Sequence, residues 1–149
     1  MAIDTPDLTQ RPPRSARVRL GGFVILPRLL DKGRATLNGK NGEFHYNCPL
    51  DQHFFHFVGV DAAKLKEQLA SGKGDWEILQ WINENAPSRR SHPEILGWSA
   101  YHEQRVPTDV ETRRFFNDYH AKAGAHREDI ATWFDMLDLD DFVSYGGKA

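Results

Sequence analysis

The chain has 149 residues, 40% apolar and 27% charged, with a formal net charge of -2 and a pI near 6.4. That length and composition fill one core, so a single helical domain over residues 1–149 is expected. No run approaches the roughly 18 apolar residues of a membrane-spanning helix. The start, Met1-Ala2-Ile3-Asp4, lacks the basic and apolar stretches of a secretory signal, and Cys48 has no second cysteine to pair with, so a reducing cytoplasm is the expected setting.

Residues 1–20 read as an extended basic arm, because Pro6, Pro12 and Pro13 remove amide donors and disfavour helix. Gly21-Gly22 ends it, and the helical body is expected over 21–147. Leu26, Leu29, Leu30, Gly33 and Leu37 form a helical stripe that predicts a first helix from residue 23 or 27 to 37, with Arg28, Asp31 and Lys32 off the stripe. Gly33 within it calls for a close neighbour, since an interior glycine costs about 1 kcal/mol. Asn38-Gly39-Lys40-Asn41-Gly42 is a turn signal, and residues 36–46 leave room for a small β hairpin.

Cys48-Pro49 predicts a helix start running to about Val58, with Asn47 or Cys48 as its cap. Asp61 and Asp75 are each expected to cap a further helix, carrying Leu65 and Leu69 and then Ile78, Leu79 and Ile82. Ser91-His92-Pro93-Glu94 and Thr108-Asp109-Val110-Glu111 have the spacing of capping boxes, in which hydroxyl and carboxylate each satisfy the other's free amide. Ile130, Trp133, Phe134 and Leu137 mark a last helix before Gly146-Gly147. The fold class expected is therefore all-α: a compact bundle of about six or seven short helices behind the arm.

Charge is unevenly placed. Residues 11–40 hold eight Lys or Arg against one acid, Asp31, while Asp129, Asp135, Asp138, Asp140 and Asp141 follow near the C-terminus without an intervening base. Electrostatics should draw the two ends together.

Three stretches carry a likeness to known proteins: Asp7-Leu8-Thr9-Gln10-Arg11-Pro12-Pro13-Arg14-Ser15, Leu26-Pro27-Arg28-Leu29-Leu30-Asp31-Lys32-Gly33-Arg34-Ala35 and His45-Tyr46-Asn47-Cys48-Pro49-Leu50-Asp51. The chain resembles, over nearly its full length, the bacterial domain-of-unknown-function family numbered 5069. That family carries no assigned reaction, so the resemblance implies a mostly helical protein and transfers no catalytic residue.

Cys48 is the candidate nucleophile, because helix amides favour a negative sulfur, and His45, three residues earlier, is its candidate partner. Buried cysteine is more often a small apolar filler. Arg17, Arg19, Arg28 and Lys32, with Asn47 and Asp51 at the helix start, are the candidate ligand-binding set for a small anionic metabolite. The competing reading is an interaction module or homo-oligomer whose basic arm docks on an acidic helix.

Nucleic acid fits poorly with the acidic pI and the absence of a recognisable motif. His53 and His56 share a helix face, but no further ligand is fixed by spacing, so neither a metal nor another cofactor is expected. Asp135, Asp138, Asp140 and Asp141 lack the glycine and terminal glutamate of a calcium loop. The four tryptophans, Trp76, Trp81, Trp98 and Trp133, are expected mainly in the core.

Overall fold

The computed structural model describes residues 5–149, and seven helices run through them. They are α1 (Leu26–Leu37), α2 (Pro49–Val58), α3 (Ala62–Ala70), α4 (Asp75–Asn85), α5 (His92–Gln104), α6 (Val110–Gly124) and α7 (Trp133–Ser144). The fold is all-α. The hairpin expected at 36–46 is absent: after Asn38 the chain turns through Gly39 and Gly42, both at positive φ, and reaches Cys48 without pairing. No described helix is long and apolar enough to cross a membrane.

α1 organises the molecule. Every residue from Leu26 to Ala35 is buried, the charged ones included. Its apolar side meets α2 and α3, and Leu26, Leu29 and Leu30 share one core with Phe54, Phe55, Val58, Leu65 and Leu69 and with Ile78 and Ile82 of α4. A Cβ added at Gly33 would stand 2.6 Å from Leu69 Cδ1, which is the close neighbour that the glycine called for. Its other side, off the helical stripe, is covered by the arm, by α7 and by the starts of α2 and α4, where Asp141, Asp51 and Asp75 meet Arg28, Lys32 and Arg34, and Arg14 of the arm meets Asp31.

The entry to α1 is strained. Ile25 is fully buried at φ 73, a conformation that a β-branched residue rarely adopts. Its amide donates to Ala16 O at 2.8 Å, and the Val24 amide donates to the buried Ser99 Oγ, which in turn donates to Gly22 O. Ala16, Val24, Ile25 and Phe134 form a second small core that locks this turn against α7.

Two expected caps are corrected. Asp75 is the first helical residue of α4 and Gly74 its cap, because the Asp75 carboxylate is engaged by Arg14 and Arg34 instead. Asp109, one residue after Thr108, caps α6 by accepting from Thr112 N. Asp61 and Ser91 cap as expected. α7 opens on a box absent from the sequence reading, Thr132 with Asp135, which leaves Ile130 ahead of the helix. Trp76 is also corrected, being 73% exposed rather than in the core.

Candidate functional site

Arg28 and Lys32 stand one turn apart on α1 and so share a face. Together with the arm, the 42–45 turn, the start of α2 and the end of α7, that face encloses a cavity of about 600 Å³. Cations and reactive groups on it include Arg28, Lys32, His45 and Cys48; Glu43 and Asp140 supply acid; Leu8, Phe44, Leu50, Leu137 and Tyr145 supply apolar wall. The volume suits a small organic molecule, for which about 300–1,000 Å³ is usual.

The basic end is built from two buried ion pairs. Lys32 Nζ donates to Asp51 Oδ1 at 2.9 Å and to Cys48 Sγ at 3.1 Å. Arg28 donates to Asp141 through both terminal nitrogens, at 2.7 and 3.2 Å, and to Arg14 O at 3.3 Å. Its guanidinium also lies 5.3 Å from the centre of the Phe44 ring. Burial pushes the Asp51 and Asp141 carboxyls above their ordinary range in spite of these cations. Three ammonium hydrogens against two acceptors leave Lys32 one donor in hand.

Cys48 caps α2 with extended backbone and is half-buried. The turn that delivers it passes through Asn47 at φ 61, with the Asn47 amide donating to Asp51 Oδ2 at 3.0 Å. Asp51 therefore ties the cap, the sulfur's neighbour Lys32 and the first turn of α2 into one unit. His45 lies on the same cavity and is exposed; among the described residues no hydrogen bond joins it to Cys48.

The expected set thus divides. Arg28, Lys32, His45 and Cys48 come together, and Asp51 stands behind them, fully buried. Asn47 contributes backbone rather than cavity wall. Arg17 is drawn away to α7, where it pairs with Asp135 and, at 3.0 Å, with Asp138; Ser15 Oγ also donates to Asp138. Arg19 pairs with Glu103 on α5 at 2.9 Å. Neither arginine reaches the cavity because each meets a carboxylate first. The basic arm does meet an acidic helix, and that helix is α7 of the same chain.

Leu8, Phe44, Leu137, Asp140, Ser144 and Tyr145 belong to the cavity wall but were not expected at the Cys48 site. They come from three separated stretches, and no local spacing links them. The Tyr145 hydroxyl donates to Leu8 O, tying the arm to the end of α7 across the mouth.

His53 and His56 part company in the fold. The His53 ring stands 4.9 Å from that of His102 on α5, and His56 is exposed. Among the described residues no three His, Cys, Asp or Glu groups converge as metal donors. Burial, followed by the nearby His53 and Arg105, pulls His102 down to about 4; burial and Arg105 lower His53 too.

No curated protein matches the chain. The family model described as "Domain of unknown function (DUF5069)" matches residues 10–143, and the chain belongs to that family.

Proposed function

We propose that the protein binds a small metabolite carrying one negative charge in the cavity between α1, α7 and the start of α2. The observation that carries this reading is the convergence of Arg28, Lys32, His45 and Cys48 on one small-molecule-sized space. Arg28 and Lys32 are already matched by Asp141 and Asp51, so the site favours a modest anion with an apolar body over a polyphosphate. The unused Lys32 donor meets the ligand's charged group, and Phe44, Leu50 and Leu137 receive its carbon skeleton. Cys48 lies beside that charged group, and a bacterial cytoplasm that keeps it a free thiol belongs to the same proposal.

Selective alkylation tests this. Cys48 should react with iodoacetate in preference to iodoacetamide by roughly fivefold or more relative to the urea-unfolded chain, because a cationic cavity concentrates the charged reagent. A folded-state preference equal to that of the unfolded chain would sink the anion reading. A sulfur that reacts with neither reagent until unfolding would sink the accessible cavity as well.

A further inference from the structure

We propose a second ligand site, for a small aromatic carboxylate, in the cavity between the end of α5, the 105–109 segment and the start of α6. Its volume is about 550 Å³, and Tyr101, Gln104, Arg105, Val106, Thr108, Thr112 and Trp133 line it. Nothing in the sequence hinted at it, because its members lie on three helices and the 105–109 segment and include none of the basic arm.

Arg105 carries the argument. Its Nε is buried without a hydrogen-bond partner, and no carboxylate pairs with its guanidinium among the described residues. The acids near it in sequence are spent elsewhere. Glu103 holds Arg19 at 2.9 Å, and Asp109 caps α6, accepting from Thr112 N at 2.8 Å and from Thr112 Oγ1 at 3.0 Å. The buried arginines of α1, by contrast, each hold an acid: Arg28 has Asp141 and Arg34 has Asp75. A partly buried guanidinium with unused donors recognises a carboxylate through paired hydrogen bonds.

A second unpartnered group lies behind Tyr101, outside the cavity wall. His102 is 2% exposed, its Nδ1 is buried without a partner, and its ring centre is 5.1 Å from that of Tyr101. Buried polar atoms are ordinarily partnered, so two orphans three residues apart distinguish this end of α5, and of the two it is Arg105 that lines the cavity.

The rest of the wall selects an aromatic body. Tyr101 is 65% exposed and Val106 44% exposed, both with apolar surface left over, and Trp133 faces them from the start of α7. The segment is held in place by Trp133 N donating to Arg105 O at 3.0 Å, so the guanidinium and the indole are carried on a fixed frame. Thr108 and Gln104 supply hydroxyl and amide groups for a ring substituent.

The test is titration of the full chain with benzoate, followed by amide and indole N–H NMR shifts. Benzyl alcohol serves as the uncharged ring and inorganic phosphate as the ringless anion. Benzoate should move the Trp133 indole and residues 104–112, with each control binding at least tenfold more weakly and Arg105→Gln weakening benzoate by roughly tenfold or more. Tyr101→Ala, at a position 65% exposed, should weaken it severalfold and keeps the test decisive if Arg105→Gln fails to fold. Any of four results overturns the proposal: no shift at the solubility limit, shifts centred on the Cys48 cavity, phosphate binding as well as benzoate, or both variants binding like the parent.

Discussion

Two polar interiors sit in this molecule and follow opposite rules. Around α1, buried charge is matched: Lys32 with Asp51, Arg28 with Asp141, Asp31 with Arg14, and Arg34 with Asp75. At the end of α5, Arg105 Nε and His102 Nδ1 are buried without partners. Matched interiors hold a fold in register, because removing either partner strands the other away from water. Unmatched ones are places where something else can be accommodated. The richer concentration of charge is thus mainly architecture with one Lys32 donor to spare, while the sparser one has no counter-charge among the described residues.

The largest effect separating the two should come from Asp51→Asn. It leaves Lys32 buried beside a neutral amide and should cost about 3–5 kcal/mol in urea unfolding. The double replacement Lys32→Met with Asp51→Leu should recover most of that loss, since a similar apolar volume needs no counter-charge. A loss under about 1 kcal/mol for the single variant would show that the α1 interior is wet, and the contrast would disappear.

The next effect tests the unmatched side through pH. The folded His102 holds its proton only near pH 4, whereas the unfolded imidazole, near 6.5, takes it up sooner. Between those values the unfolded chain binds more protons, so stability must fall as pH falls. From pH 7.5 to 5 the expected loss is about 2 kcal/mol, and His102→Gln should flatten that part of the profile. A parent profile as flat as the variant's would remove His102 from the unmatched interior.

The smallest effect belongs to the surface. Arg17→Ala removes the pairs with Asp135 and Asp138, but Arg17 is 40% exposed and water replaces what is lost. It should cost under about 1 kcal/mol by thermal unfolding and diminish further at high salt. A larger loss would mean that the arm's charge, and not only Leu8 and Ala16 in the core, holds it to α7.

Helix existence was legible wherever a local rule applied. The spacing of Leu26, Leu29, Leu30 and Gly33, Pro49 after Cys48, Asp61 before Ala62 and the Ser91–Glu94 box each act within four residues, and each gave a helix where expected. Where two rules competed, tertiary contacts decided. Asp75 has the chemistry of a cap and also that of a counter-ion, and Arg14 and Arg34 took it. The candidate site was legible only as a set of residue types: Arg28 and Lys32 could be joined to Cys48 through the helix start, but nothing local showed that Arg17 and Arg19 would meet carboxylates on α7 and α5 before reaching them.

The sequence alone determined an all-helical body behind a proline-rich basic arm, because helix starts, turns and amphipathic spacing are short-range properties of the chain. It also determined that opposite charge lies at the two ends. Tertiary structure decided what that charge does. By burying α1 on every side it made Arg28 and Lys32 need Asp141 and Asp51, and by engaging Glu103 and Asp109 elsewhere it left Arg105 without an acid. Pairing of charges depends on which groups arrive within a few ångströms after the helices pack, and that distance is written in no single stretch of sequence.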